Sequence, residues 1–66
     1  MKVKDITSIM KPWQSLRIME KDATQLDEPL FDNSFDIRLP KEDEPVYEMK
    51  VVDIDASWNT LVLYVK

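Results

Sequence analysis

Glu48 and Lys50 are the residues whose types and spacing come closest to catalytic chemistry. In metal-dependent nucleases, a Glu-x-Lys pair on a strand combines a carboxylate that holds magnesium with a lysine that orients the attacking water. A further carboxylate must come from a neighbouring strand, and the nearest acids, Asp43 and Glu44, are too close in sequence to lie on one. We interpret the pair as alternating charges on the solvent side of a strand, because so short a pattern often arises by chance.

Asp53-Ile54-Asp55 has the opening spacing of a calcium-binding loop. Such loops also need a central glycine and a closing bidentate glutamate, and the chain contains no glycine. We therefore interpret Asp53 and Asp55 as residues that flank a turn.

Three residue types that carry much of small-protein chemistry are missing: glycine, cysteine and histidine. Their absence excludes nucleotide-binding glycine loops, zinc sites built from cysteine and histidine, thiol nucleophiles and imidazole catalysis. We therefore expect no enzyme, no cofactor and no metal site. An enzyme that uses carboxylates and magnesium is the least favoured class.

The negative charge is concentrated in the middle of the chain. Residues 1–21 hold five basic and two acidic residues, a net charge of +3, whereas residues 22–44 hold eight acidic and two basic residues, a net charge of −6. Such a segment repels nucleic acid and anionic membranes and favours a basic protein surface. The residues predicted to contact a partner are Asp27, Glu28, Asp32, Asp36, Glu42, Asp43, Glu44 and Trp58.

Two of these assignments, the acidic run and Trp58, have a structural alternative. The run Glu42-Asp43-Glu44 is a partner contact, a cation site or simply a hydrated loop, as charge runs usually are. Trp58, in a predicted hairpin loop, either packs over the sheet or stands out as an interface anchor. Trp13 follows a predicted helix and is expected in the core.

The first half of the chain predicts one helix and one clear strand. Val3, Ile6 and Met10 recur at helical spacing, which predicts a helix over residues 4–11 that Pro12 ends. The alternation in residues 15–20 predicts a strand, followed by a turn over residues 21–24.

The second half predicts a hairpin. A brief strand is expected near Leu30-Phe31 and another over residues 35–39, with a turn over residues 32–34 between them. Residues 46–54 and 60–65 are rich in β-branched and aromatic side chains, so they should pair antiparallel around a loop over residues 55–59. A change of phase predicts a β-bulge near Val51-Val52. Tyr47, Val62 and Tyr64 would then form an apolar patch on the outer face.

These elements indicate an α+β fold in a single domain, residues 1–66. One short N-terminal helix would pack on a small, mostly antiparallel sheet of three to five strands that ends in the C-terminal hairpin. A domain this small has a thin margin of stability and no disulfide to add to it. Binding to a partner or to a second copy is therefore a reasonable expectation.

The order of features along most of the chain is an amphipathic opening (Val3-Lys4-Asp5-Ile6), a strand, an acidic middle with Leu30-Phe31, and a hairpin ending in Leu61-Val62-Leu63-Tyr64-Val65. In this order the chain resembles the short α+β proteins of bacteriophages and mobile elements of Gram-positive bacteria. The resemblance implies an accessory protein, for example an inhibitor that occupies the basic groove of a nucleic-acid-targeting defence protein.

Two functional hypotheses follow from the sequence. The first is a non-enzymatic, acidic interaction protein that occupies a basic surface of a host partner. The second is a structural or assembly module that self-associates, as a dimer for example, through an exposed sheet face or edge strand. Both assume no direct contact with nucleic acid or membrane and a cytoplasmic location, since the longest apolar run is residues 61–65 and cysteine is absent.

Overall fold

The structure is built on one sheet, which has a short helix and a turn of 3-10 helix beside it. The strands are β1 (Ser15–Glu20), β2 (Phe31–Asp32), β3 (Val51–Ser57) and β4 (Thr60–Val65), and the helices are α1 (Val3–Thr7) and a 3-10 helix (Pro45–Glu48). This computed structural model describes residues 1–24, 26–34, 37–57 and 59–66, with Ser57 described for its backbone alone. The strand order across the sheet is β2-β1-β4-β3.

The sheet is mixed. β2 pairs antiparallel with β1, and β3 pairs antiparallel with β4, which confirms the α+β class and agrees with the predicted C-terminal hairpin. The two central strands, β1 and β4, run parallel, with Leu16 beside Leu61 and Ile18 beside Leu63. The prediction of a mostly antiparallel sheet is therefore wrong at its centre, where the closing strand of the hairpin lies beside β1 in the same direction.

The core lies between one face of the sheet and the two helices. Leu16, Ile18 and Leu63 are completely buried, and Val3 from α1 is buried against them. The remaining members of this buried cluster are Ile6, Phe31, Val46 and Val65. Burial of these side chains is the main stabilising contribution in a domain of this size.

Helix α1 is shorter than predicted. Its start is stabilised because the Asp5 carboxylate accepts a hydrogen bond of 2.8 Å from the backbone N–H of Lys2. After Thr7 the chain tightens into 3-10 turns, and the Ser8 hydroxyl donates to the Asp5 carbonyl (2.9 Å), a side-chain bond that competes with helix continuation. Because the helix ends early, Trp13 lies outside the core with 70% of its surface exposed, and its predicted burial is wrong.

The strand predicted over residues 46–54 is two elements. Pro45 occupies the first position of the 3-10 helix, where a missing N–H costs nothing, and the strand begins only at Val51. The predicted bulge is confirmed, since the pairing register shifts between Val51 and Asp53. At the other end β3 continues to Ser57, so the predicted loop over residues 55–59 is too long and Asp55 is a strand residue.

Two further predictions for the sheet are revised. Tyr47 lies in the 3-10 helix rather than on the sheet, so the predicted patch of Tyr47, Val62 and Tyr64 does not form as stated. In the middle of the chain, β2 is confirmed within one residue, whereas residues 37–39 form no strand. The remainder of that predicted strand, residues 35 and 36, lies outside the described residues.

Asn33 holds the middle of the chain to β1. Its side chain is buried with 2% exposure, and its Oδ1 accepts a 2.9 Å hydrogen bond from the Leu16 backbone N–H. Its Nδ2 donates to the backbone carbonyls of Gln14 (2.7 Å) and Arg38 (3.3 Å). The predicted turn residue is therefore a structural anchor that satisfies three backbone groups at the end of the β1–β2 pairing.

Candidate partner-binding surface

Four carboxylates surround one shallow depression at the end of β1. We call this surface the acidic hollow; it measures about 320 Å³ and is lined by Glu20, Asp22, Asp27 and Glu28 together with Ala23. Asp27 and Glu28 were predicted to contact a partner, and both are exposed here. Asp22 belongs to the acidic segment, and Glu20 was missed because it ends a strand just before that segment.

A tight connection after β1 creates the hollow. The Ala23 N–H donates to the Glu20 carbonyl (3.0 Å), which turns the chain at the end of the strand. Four residues later, the Asp27 carboxylate accepts hydrogen bonds from the Thr24 backbone N–H (2.7 Å) and the Thr24 hydroxyl (3.3 Å). Asp27 therefore shapes the loop, while its neighbour Glu28 remains free to contact a partner.

The carboxylates of Glu20, Asp22 and Glu28 form no ion pair with any other residue that the structure describes. Two lysines, Lys21 and Lys66, line an adjacent depression of about 330 Å³ that shares Glu20 and Asp22. The hollow therefore presents unpaired negative charge with a basic border on one side. Such an arrangement fits a cationic surface better than a single metal ion.

Asp32 and Glu44, also predicted to bind a partner, are used within the fold. Burial of Asp32 opposes its ionisation, but hydrogen bonds from Ser34 and the charge of Arg17 outweigh this effect and lower its pKa. The Arg17 Nε lies 3.3 Å from Asp32 Oδ2. A carboxylate already neutralised by an arginine contributes little to an external field, so the predicted role of Asp32 in recognition is not favoured by its surroundings.

Glu44 closes the loop before the 3-10 helix. Its carboxylate forms an ion pair with Arg38 and accepts a 3.2 Å hydrogen bond from the Lys41 backbone N–H. The hydrogen bond from Arg38 is the main reason that the pKa of Glu44 lies below its usual value. Arg38 also lies 5.2 Å from the centre of the Phe31 ring, which ties this loop to the core.

The other predicted contact residues differ in what the structure describes. Glu42 and Asp43 are exposed in a turn between Pro40 and Pro45, and they do not line the acidic hollow. Asp36 and Trp58 lie outside the described residues. The exposed tryptophan that the structure does describe is Trp13, which lines a groove of about 520 Å³ and has the Lys11 ammonium 5.8 Å from its ring centre.

Glu48 is a structural ion-pair partner. It lies in the 3-10 helix, with Lys2 Nζ 3.0 Å and Lys4 Nζ 3.1 Å from its two carboxylate oxygens. Hydrogen bonds from these lysines lower the pKa of Glu48, and Glu48 in turn raises the pKa of Lys4. The Glu-x-Lys pair therefore lacks the strand that its catalytic interpretation assumed, and our interpretation of the pair as alternating charges on a strand is wrong for the same reason. Across the described parts of the chain, no three acidic side chains converge as metal ligands would.

The Glu44 ion pair predicts an acid-sensitive contribution to stability. Because the pKa of Glu44 is lowered in the folded state, this contribution is complete above the unfolded value of 4.5 and is lost as the pH falls through the folded pKa. Glu44→Gln should therefore lower the free energy of unfolding at pH 7, and the difference from wild type should shrink below pH 4.5. Urea denaturation between pH 3 and pH 7 measures both effects.

Glu42→Gln is the matched control for this experiment, because Glu42 is an exposed glutamate two residues away. It should leave the free energy of unfolding nearly unchanged at every pH. A Glu44→Gln difference that is constant from pH 7 to pH 3 would show that the carboxylate charge is not responsible.

The helices within the described residues are too short and too polar to cross a bilayer.

Comparison with known proteins returned no relative. No protein-family model, no curated protein and no solved structure matches the chain.

Proposed function

We propose that the protein is a non-enzymatic interaction protein that binds a basic surface of a protein partner through the acidic hollow. The observation that carries this proposal is the presence of three carboxylates, those of Glu20, Asp22 and Glu28, around one depression without ion pairs inside the described part of the chain. Unpaired charges keep their long-range field and steer an oppositely charged partner during encounter.

The resemblance to phage and mobile-element proteins suggests a specific form of this function. An accessory protein of that kind would enter the basic groove of a nucleic-acid-targeting defence protein in the cytoplasm and compete there with nucleic acid. The free carboxylates would take the place of phosphates against the lysines and arginines of such a groove. The protein would then act by binding through this surface and would catalyse no reaction.

Association kinetics test the role of the hollow. The partner is first captured from cells that carry the gene and purified, and its association with the wild type is compared with that of Asp22→Asn/Glu28→Gln. This double substitution removes two free charges and spares Asp27, which shapes the loop. We expect the association rate at low ionic strength to fall about three- to tenfold, with a weaker dependence on salt.

Glu42→Gln/Asp43→Asn is the matched control, since it removes the same charge from exposed positions outside the hollow. Its association rate should stay within about twofold of the wild type. Equal rates for all three proteins would contradict electrostatic recognition, and a loss confined to the control variant would place recognition at the turn instead.

A further inference from the structure

We propose that the free edge of β3 receives an extended segment of a protein partner as a fifth strand, and that this segment alternates basic and apolar side chains. The inference rests on the proposed function only in assigning the segment to a basic partner. The edge of β3 is a surface separate from the acidic hollow, and substitutions in each surface test the two proposals separately.

The exposed edge of the sheet begins in the middle of β3. The start of the strand is covered, because the Val51 N–H donates to the Met1 carbonyl (2.8 Å) and Lys2 forms a bridge with Lys50. Further along, the backbone N–H groups of Ile54 and Ala56 donate to aspartate side chains. Alternate N–H groups of an edge strand point away from the sheet, and these two have that orientation.

Aspartate side chains accept hydrogen bonds from these two outward N–H groups. Asp53 Oδ1 accepts from the N–H of Ile54 (2.9 Å), and Asp55 Oδ1 accepts from the N–H of Ala56 (2.8 Å). Each carboxylate therefore stands where the carbonyl of an added strand would bond. A cation on an incoming strand can draw each carboxylate away and leave the N–H free for that carbonyl.

The two faces of the edge differ in chemistry. Asp53 and Asp55 pair with Tyr64 and Val62, so they lie on the face opposite the core, two residues apart on one strand. Lysine or arginine at alternate positions of an added strand would lie beside them, because cross-strand neighbours on one face are about 5 Å apart. Charge complementarity therefore specifies basic residues at every second position.

The opposite face of the edge is apolar. Ile54 is 50% exposed, although it pairs with the fully buried Leu63. Beyond it, Ala56 and Leu61 line the groove of about 520 Å³ that also contains the exposed Trp13. Apolar side chains at the intervening positions of the added strand would cover Ile54 and enter this groove, where Trp13 is suited to act as an anchor.

A second copy of the chain fits this edge poorly. If two β3 strands paired antiparallel about Ile54, Asp53 of each copy would lie opposite Asp55 of the other, on the same face. Like charges directly opposite each other destabilise a strand pair. The aspartates that favour a basic strand therefore oppose self-pairing in this register.

The test uses the full chain, labelled with ¹⁵N, and three capped seven-residue peptides. The first alternates lysine with valine, the second has glutamate in place of each lysine, and the third has the composition of the first with its lysines grouped together. We expect the alternating lysine peptide to shift the amide resonances of Ile54 and Ala56 and to slow their hydrogen exchange. The glutamate peptide should not bind, and the grouped peptide should bind at least about fivefold more weakly.

Two double variants separate this surface from the hollow. Asp53→Asn/Asp55→Asn keeps oxygen acceptors for the edge N–H groups but removes the charge, and it should raise the Kd of the alternating peptide about tenfold with an unchanged melting temperature. Asp22→Asn/Glu28→Gln should leave this Kd within about twofold. Its effect on the partner's association rate tests the proposed function separately.

Three results would overturn the inference. One is equal affinity for the alternating and grouped lysine peptides, which would indicate attraction without strand addition. Another is a set of shifts centred on residues 20–28, which would place the peptide in the acidic hollow. The third is a wild-type dimer in light scattering whose protected amides include Ile54 and Ala56, which would show that a second copy occupies the edge.

Discussion

Leu63→Ala should lower the free energy of unfolding by about 2–5 kcal/mol, the usual effect of removing a fully buried leucine side chain. Leu63 is completely buried at the centre of the sheet, between Ile18 on β1 and Ile54 on β3. A single core in a domain of 66 residues rarely supplies more than about 3–5 kcal/mol, so this change should leave the protein partly unfolded at physiological temperature. Urea denaturation followed by tryptophan fluorescence and circular dichroism measures the loss.

Ile54→Ala is the matched control, because Ile54 is the cross-strand neighbour of Leu63 on the same face but is half exposed. Its loss of stability should be about 1 kcal/mol or less, in line with the smaller apolar area removed from water. If Leu63→Ala loses less than about 0.5 kcal/mol, the core is not on this face of the sheet. Equal losses for the two variants would show instead that Ile54 is as well packed as Leu63.

Asn33→Leu should lower the free energy of unfolding by about 3 kcal/mol or more. The leucine fills a similar volume but leaves the Leu16 N–H and the carbonyls of Gln14 and Arg38 without their present partner. The Leu16 N–H is buried and costs about 1–3 kcal/mol if it is left unsatisfied, and the two part-buried carbonyls add a smaller cost each. The free energy of unfolding measures the total, and the exchange rate of the Leu16 amide hydrogen reports on one of the three groups directly.

Asn33→Asp distinguishes hydrogen bonding from packing. It keeps the acceptor for Leu16 but removes both donated bonds and places a negative charge against two carbonyl oxygens. At pH 7 it should therefore be as unstable as Asn33→Leu, and relative to wild type it should recover at acid pH, when the protonated acid can donate one bond. Near-wild-type stability of both variants would mean that water can replace the Asn33 side chain.

The alternation of apolar and polar side chains made two strands predictable from sequence. β1 and β4 were predicted at their observed bounds, because burial on one face leaves a period of two in residues such as Leu16 and Ile18. Their parallel pairing was not predictable from the same pattern. Leu61 and Leu63 alternate identically whichever way the strand runs, so the direction is decided by the packing of the whole chain.

The 3-10 helix shows tertiary structure overriding local preference. Val46 and Tyr47 favour strands, but Glu48 at the end of this segment binds Lys2 and Lys4, which are 46 and 44 residues away in sequence. Contacts at such separations leave no signal in a window of a few residues. Pro45, at the first helical position, was the only local sign of a helix start.

Composition predicted where the negative charge lies but not which carboxylates are free. Asp32 is paired with Arg17 and Glu44 with Arg38, and neither pairing follows from charge counting. Glu20 joins the acidic hollow only because β1 ends beside the loop that follows it. The sequence therefore identified the acidic segment, whereas the fold determines which carboxylates line the hollow without an ion pair.

The parallel pairing of β1 with β4 also affects how the chain is made. Ser15 pairs with Thr60, which is 45 residues further along, so β1 has no neighbour on that side until those residues have been translated. At about 5–20 residues per second, the ribosome needs roughly 2–9 seconds to add them. During this time Leu16 and Ile18 lack the strand that pairs with β1 on this side. Folding must therefore follow the synthesis of β4, and pairing at such a distance makes it slower than in a helical domain of similar length.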